Sequence, residues 1–339
     1  MSSSLVGIDQ ALPKIVLSNS DLAAQYEGWS ADKIFSKTGI RARRIAAPDE
    51  CASDLGVQAA QALMTRLSIE PDSIDLLLYC TQSPDYFLPT TACVMQHRLG
   101  LPISCGALDF NLGCSGYIYG LGLAKAMIDS RQANRVLLIT ADTYSKFINP
   151  ADKSVRTLFG DAAAATLIDN GEESSLIGPF VYGTDGSGLP NLIVRTGGAR
   201  CAVRPDAALE LDGNGNARTV NDLYMNGTEI FNFTLRVVPA AVEQLLSKAN
   251  VTAASIDLFV FHQANGFMLE HLRKKLGIPT DRFVIAMEDV GNTVSSSIPI
   301  ALREAQARGQ LTTGALVMLV GFGVGYSWGA TLVRWTARA

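Results

Sequence analysis

The chain has 339 residues, a length that favours about two domains of roughly 150 residues each. Hydrophobic residues make up 48% of it and charged residues 18%, which provides a large core and excludes a disordered chain. The net charge of −4, without a long basic run, argues against nucleic acid as a partner. Residues 1–10 lack the charged and apolar regions of a signal peptide, so we expect a cytoplasmic protein.

The first half of the chain alternates apolar strands with amphipathic helices. Strands are predicted at residues 5–8, within 73–80, before residue 114 and at 135–142. Helices are predicted from residue 19, at about 53–67 and at about 90–99, and residues 37–44 form a basic loop. This alternation is typical of an α/β fold with a largely buried sheet.

Residues 107–128 carry the strongest local signal. A short apolar strand, which we expect to be buried, ends in a turn at Gly113, and apolar residues at helical spacing predict a helix starting just after Cys114. Because a helix N-terminus favours an anion, we expect the pKa of the Cys114 thiol to be lowered. The alternative is that Cys114 is one more buried core cysteine.

The other cysteines and the histidines do not form a recognisable metal-binding or disulfide pattern. The six cysteines form no C-x-x-C pair, and with only three histidines in the chain we expect reduced thiols and no metal site. Cys80 and Cys105 are predicted in core strands and Cys93 on the buried face of a helix. His97 and His271 are predicted at the surface.

Residues 314–333 carry no charged side chain over a length sufficient to span a bilayer. Glycines divide this stretch at positions 321, 323, 325 and 329. The segments on either side favour two buried strands around a glycine-rich turn. We therefore expect no membrane span.

The second half of the chain repeats the first. Ser-Ile-Asp-Leu occurs at positions 73 and 255, 182 residues apart, and each copy leads into an apolar strand. Gly113-Cys114 and Gly291-Asn292 lie 178 residues apart, each at a glycine turn before a helix. We predict two similar halves, 1–171 and 220–339, joined by a variable excursion at 172–219, of which about 184–216 is a candidate lid.

The duplication predicts that three polar residues face one cavity. Cys114, His262 and Asn292 each follow a predicted strand, and ligands of open α/β sheets gather beyond the carboxyl ends of strands. A thiolate can take an acyl group from a thioester, and an imidazole and an amide can each donate to an oxyanion or enolate. Alone, His262 also fits a core residue and Asn292 a turn residue.

Several motifs, in this order along the chain, resemble one enzyme family. They are Lys37-Thr-Gly-Ile-Arg41, Gly113-Cys-Ser-Gly-Tyr117, Phe159-Gly-Asp161, His262-Gln-Ala-Asn265, Gly291-Asn-Thr293, Ser297-Ile-Pro299 and Gly321-Phe-Gly-Val-Gly-Tyr-Ser-Trp-Gly329. The resemblance is to β-ketoacyl-acyl carrier protein synthase III and covers nearly the whole chain. It implies the thiolase-like, five-layered αβαβα fold in two pseudo-symmetric halves, a homodimer, and no metal or redox cofactor.

The resemblance also implies a two-step reaction. Cys114 would take an acyl group from a coenzyme A or carrier-protein thioester, and a malonyl-acyl carrier protein would then lose CO₂. His262 and Asn292 would hold the resulting enolate, and the backbone N–H groups of Cys114 and Val324 the tetrahedral oxygen. The resemblance further implies that Phe159 lines the acyl pocket and that Asn265, Lys33 and Lys153 belong to the substrate-binding residues.

The chain departs from the family pattern at the predicted binding surfaces. Lys33 and Lys153 occupy the positions of a tryptophan and an arginine that sandwich the adenine of coenzyme A in acetyl-primed members. The carrier-docking helix keeps Lys274 and Lys275, but Phe267 stands in place of an arginine, and Asn232, elsewhere, in place of a lysine. We therefore expect a specialised relative rather than the general fatty-acid initiator.

Three other functions compete with condensation. An acyltransferase on the same scaffold would move the acyl group from Cys114 to an oxygen or nitrogen nucleophile, and would not need Asn292. A cysteine hydrolase also uses Cys, His and Asn in this order, but its C-G-[SA]-C-[WY] pattern is absent. A non-catalytic partner subunit would usually lack the nucleophile, which this chain has.

Overall fold

A computed structural model describes residues 2–171 and 176–338. The α-helices in these two ranges are α1 (Asn19–Ala23), α2 (Ala31–Thr38), α3 (Ala52–Leu67), α4 (Thr91–Arg98), α5 (Gly116–Asp129), α6 (Lys153–Arg156), α7 (Gly227–Ala249), α8 (Gly266–Lys275) and α9 (Ser297–Ala307). The strands are β1 (Ser2–Ala11), β2 (Ile15–Ser18), β3 (Ala42–Ile45), β4 (Leu76–Cys80), β5 (Gly106–Phe110), β6 (Arg135–Asp142), β7 (Ala162–Gly171), β8 (Ile177–Thr184), β9 (Leu192–Ile193), β10 (Glu210–Leu211), β11 (Ala217–Arg218), β12 (Tyr224–Met225), β13 (Leu258–Phe261), β14 (Leu316–Gly323) and β15 (Ser327–Arg334).

Two sheets share one pairing pattern. The first has the strand order β1-β7-β6-β4-β5 and the second the order β8-β15-β14-β13. In each, a parallel pair (β4 with β6, β13 with β14) is followed along the sheet by two antiparallel pairs, and the first sheet has one more parallel pair, β4 with β5. The second sheet includes β8, so residues 177–184 belong to a sheet rather than to a surface excursion. The division at 171 and 219 stays a prediction.

Helices cover both faces of both sheets and give the five-layered αβαβα, thiolase-like fold. Side chains of α5 and α9 form one core with strands of both sheets, which places these two helices in the middle layer. Helices α3 and α4 pack on the outer face of the first sheet. Helices α7 and α8 pack on the outer face of the second. Helices α5 and α9 therefore lie between the two sheets.

Most of the predicted elements are confirmed, including the two strands within residues 314–333, and His97 and His271 are exposed. In the described ranges, no helix has both the length and the apolar character needed to cross a membrane.

Three predictions about burial or placement are wrong. Strand β5 is an edge strand of this chain rather than a buried one, with Leu108 42% exposed, because no strand in residues 2–171 and 176–338 pairs with its outer side. Cys93 is exposed because α4 buries Thr91, Ala92 and Met95 instead. Cys105 is buried but lies just before β5 rather than within a strand.

Candidate active site

Cys114 lies in the turn between β5 and α5, and glycines of β14 bring the second sheet against it. A Cβ atom at Gly323 would lie 2.9 Å from Cys114 Sγ, and one at Gly321 would lie 2.8 Å from the Cys114 carbonyl oxygen. Only glycine allows an approach this close without displacing the turn. The glycine-rich turn of the second half therefore fixes the position of the thiol in the first.

His262 directly follows β13 and is buried. Its Nδ1 lies 2.7 Å from Ser297 Oγ at the start of α9, and Ser297 Oγ also accepts the Gln263 N–H at 3.4 Å. This arrangement favours a serine hydroxyl that donates to Nδ1, which leaves Nε2 to carry the ring proton. Burial lowers the pKa of His262 to about 3, so the imidazole is neutral at pH 7.

Asn292 is held by its backbone and by one end of its side chain. Its N–H donates to the Leu158 carbonyl at 2.9 Å, and its carbonyl accepts the Gly160 N–H at 3.0 Å. Its Oδ1 accepts the Val294 N–H at 3.0 Å, which supports the left-handed backbone of Val294 (φ 53°), a conformation that valine rarely adopts. With Oδ1 committed, Nδ2 is the end of the amide that is left to donate to a ligand.

Asp142, at the end of β6, ties the loops of the two halves together. Its carboxylate accepts the Gln82 N–H at 2.8 Å and both the N–H and the hydroxyl of Ser295, at 3.2 and 2.5 Å. Burial raises the pKa of Asp142 to about 7. The carboxyl therefore fixes the loop that carries Asn292 relative to the first sheet, a role that the sequence analysis missed although an acidic residue ending an apolar strand was visible.

The structure brings the predicted chemical residues to one small cavity of about 60 Å³. Cys114, His262, Asn292, Phe159 and Asn265 all line it. The Asn265 Oδ1 caps α8 by accepting the Met268 N–H at 2.8 Å, so only its amide nitrogen is free to meet a substrate. Apolar side chains complete the wall, among them Leu192, Ile230 and Phe322.

The expected lowering of the Cys114 pKa is wrong for this unliganded structure. Burial, followed by the nearby Asp142, raises the pKa of the thiol well above its ordinary value. The N–H groups of Cys114 and Val324 act on the sulfur in the opposite direction but do not outweigh burial. Both backbone N–H groups therefore lie near the sulfur.

The four predicted lysines lie outside this cavity. Lys33 Nζ donates to the Gly28 carbonyl at 2.9 Å, and Lys153 lines a separate surface groove. On α8, Lys274 pairs with Glu270 at 3.4 Å, and Lys275 Nζ donates to the Leu235 carbonyl at 2.8 Å.

Phe267, which stands where the family resemblance has an arginine, makes an aromatic contact at the start of α8. Phe267, 56% exposed, stacks on Phe231 at 5.7 Å between ring centroids. Across residues 2–171 and 176–338, no group of three or more Cys, His, Asp or Glu side chains is placed to hold a metal.

The fold and this site define a thiolase-like enzyme of the acyltransferase class. A family model for 3-oxoacyl-[acyl-carrier-protein] synthase III matches residues 108–186, and the model for its C-terminal part matches residues 246–335. The chain belongs to the 3-oxoacyl-[acyl-carrier-protein] synthase III family.

Individual relatives agree over nearly the whole length. The beta-ketoacyl-[acyl-carrier-protein] synthase III of Symbiobacterium thermophilum is 37% identical over 331 residues, which span 98% of this chain and 97% of that protein. A solved 3-oxoacyl-(acyl-carrier-protein) synthase III is 52% identical, with a TM-score of 0.97 over 99% of this chain and 100% of that one. The enzyme from Burkholderia xenovorans LB400 is 38% identical, with a TM-score of 0.91 over 99% and 94% of the two chains.

Proposed function

We propose that this enzyme condenses an acyl group held on Cys114 with a malonyl-acyl carrier protein, giving a 3-oxoacyl thioester. The observation that carries the proposal is that a thiol, a neutral imidazole and an amide donor line one small cavity. A primer thioester, from coenzyme A or from a carrier, supplies the acyl group, and the reaction needs no metal or redox cofactor.

In the first step, Cys114 attacks the primer thioester. The bond from Sγ to the acyl carbon forms, the bond from that carbon to the primer's sulfur breaks, and the thiol proton of Cys114 ends on the released thiol. The carbonyl oxygen of the primer gains negative charge in the tetrahedral intermediate. The N–H groups of Cys114 and Val324, which lie near the sulfur, donate hydrogen bonds to that oxygen. Because one thioester replaces another, the step costs little free energy.

In the second step, the malonyl thioester loses CO₂. The electrons of the broken C–C bond pass into an enolate, whose oxygen accepts hydrogen bonds from His262 and the Asn292 amide. The enolate carbon then attacks the acyl carbonyl on Cys114, the bond from that carbon to Sγ breaks, and the sulfur leaves as a thiolate that takes a proton from solvent. A neutral His262 suits this role because it donates a hydrogen bond without handing over a proton that would quench the carbanion.

Two features support the proposed partners. Among the described strands none pairs with the outer side of β5, and Phe87 and Leu88 are exposed apolar side chains; both features fit a homodimer. Basic side chains in the last turn of α8, Lys274 and Lys275, fit an acidic carrier protein, although both also make contacts within the chain. We expect the enzyme to act in the cytoplasm.

The acyltransferase alternative differs in one measurable product. Asn292 favours condensation because transfer to an oxygen or nitrogen nucleophile generates no enolate to be held. Intact-mass spectrometry after mixing with acyl-coenzyme A and acyl-carrier donors tests the first step, and peptide mapping locates the label. Malonyl-acyl carrier protein is then added and CO₂ is measured. Loading on Cys114 followed by CO₂ release in step with product supports condensation, whereas acyl turnover without CO₂ supports simple transfer.

The pH dependence of loading follows from the site's burial. Because the pKa of Cys114 is raised, the thiolate fraction grows as the pH rises, and we expect loading to accelerate from pH 6 to 9 by up to about tenfold per pH unit. His262, with a pKa of about 3, does not change its protonation in this range and so does not affect the loading rate. Ionisation of Asp142 near pH 7 adds a negative charge near the thiol and therefore reduces the increase of the loading rate with pH. Rapid-quench intact-mass measurements check this, and a rate already level at pH 6 would contradict it.

A further inference from the structure

Asp142 is a buried acid that has no cation beside it. Its side chain is fully buried, and no lysine, arginine or histidine of the described residues forms an ion pair with it. Burying a charge without a partner cation is expensive, so a neutral side chain would serve the stability of the fold better. Stability alone therefore does not account for the carboxylate.

The two oxygens of this carboxylate join loops on opposite sides of the active site. Oδ1 accepts the Gln82 N–H, and the Gln82 side chain packs against Gly113, where a Cβ atom would lie 2.6 Å from Gln82 Oε1. Gly113 directly precedes Cys114. Oδ2 accepts the N–H and the hydroxyl of Ser295, in the loop that follows Asn292. One side chain thus links the turn of the nucleophile to the loop of the enolate donor.

Only a carboxylate satisfies these contacts. Both oxygens face N–H donors, whereas the amide of an asparagine offers one oxygen and an NH₂ group that cannot accept. The same charge acts against the thiol: after burial, Asp142 is the main cause of the raised pKa of Cys114. The carboxylate therefore opposes acyl loading while it holds the loop that the second step of the proposed condensation uses.

We infer that Asp142 is a positioning residue for decarboxylation. Its carboxylate aligns Asn292 with Cys114, and its charge slows acyl loading on the thiol. The inference rests on the proposed function, since it assigns the two effects to the two steps of that reaction. A residue that only supported the fold would affect both steps in the same direction, because both take place in one cavity.

Asp142→Asn tests the inference at pH 9, above the Asp142 pKa of about 7. The new amide can still accept the Gln82 N–H and can donate to the Ser295 hydroxyl, so the bond from the Ser295 N–H is lost. We expect CO₂ release to fall by about 10- to 100-fold, the cost of a misplaced catalytic group. We expect loading to become about two- to fivefold faster, because the anion near the sulfur is gone.

The two steps are measured separately on the full-length enzyme. Intact-mass kinetics with acyl-coenzyme A and acyl-carrier donors give the loading rate. CO₂ release is followed in a single turnover after malonyl-acyl carrier protein is added to acylated enzyme, so a change in loading does not affect it. If the two rates do not move in opposite directions, the inference is wrong. If the unaltered enzyme takes up no acyl group or releases no CO₂, the proposed condensation fails instead.

Asp161→Asn is the matched control. Asp161 is also fully buried and accepts bonds of the same kinds, from the Ala46 N–H at 2.8 Å and from the N–H and hydroxyl of Ser145 at 3.0 and 2.5 Å. It is not among the groups that shift the pKa of Cys114. We expect a lower melting temperature without opposite changes of the two rates. Opposite changes in this control would show that loss of any buried carboxylate produces them, which would overturn the inference.

Ser295→Ala decides the question if Asp142→Asn does not fold. It keeps the charge of Asp142 and the bond from the backbone N–H, and removes only the hydroxyl bond. We expect CO₂ release to fall by about three- to tenfold, in line with the loss of one hydrogen bond to a charged group, and loading to stay within about twofold. Unchanged CO₂ release would show that the link from Asp142 to this loop does not position Asn292.

Discussion

Replacing Cys114 with alanine is expected to abolish acyl loading and to lower condensation by roughly 10⁵-fold or more, the order found when a covalent nucleophile is removed. The same variant should still release CO₂ from malonyl-acyl carrier protein, because His262 and Asn292, which hold the enolate, are untouched. The enolate then takes up a proton instead of the acyl group. Intact-mass spectrometry and CO₂ release measure the two half-reactions separately.

The control for this experiment is Cys93→Ala, because Cys93 is an exposed thiol on α4 outside the site. It should load acyl groups at the rate of the unaltered enzyme. An acyl adduct that persists in Cys114→Ala and disappears in Cys93→Ala would show that Cys93, and not Cys114, is the nucleophile. Thermal melts of both variants guard against a folding defect, since removing one buried sulfur leaves only a small cavity.

The helices and strands, and the clustering of three polar residues in one site, could be predicted from the sequence because each depends on a local pattern. Cys114, His262 and Asn292 each come directly after a strand or a glycine turn, and the repeat of the two halves places those turns at one point. The layers followed from the family resemblance. Local patterns sufficed here because strand ends and tight turns are written in neighbouring residues.

Properties that depend on distant packing did not follow from the sequence. The Cys114 pKa was misjudged because helix position is local, whereas burial by β14 and the charge of Asp142 are set by the tertiary fold. The exposure of Leu108 depends on sheet order, which no local pattern encodes. The cavity lined by Gln82, Tyr144 and Leu192 could not be predicted either, because these residues come from separate loops.

Replacing Asn292 with aspartate separates its role as a donor from its role in the fold. The aspartate keeps an oxygen to accept the Val294 N–H, so the left-handed turn at Val294 retains its support. Asn292→Ala is a poorer test because it leaves that buried N–H without a partner, at a cost of about 1–3 kcal/mol. What Asn292→Asp removes is the amide N–H, and in its place stands an oxygen that repels the enolate when ionised.

We expect Asn292→Asp at pH 8 to lower decarboxylation by about 10²–10³-fold, the typical cost of losing one oxyanion donor. Loading on Cys114 should change by less than about threefold, because its oxyanion donors are the backbone N–H groups of Cys114 and Val324. As the pH falls, the carboxyl takes up a proton and its O–H can donate again, so part of the lost rate should return. His262 stays neutral well below pH 6, so it does not mask this recovery. The test is the rate of CO₂ release by Asn292→Asp from pH 6 to 8. If that rate at pH 8 equals the rate of the unaltered enzyme, Asn292 does not hold the enolate, and the acyltransferase alternative is favoured.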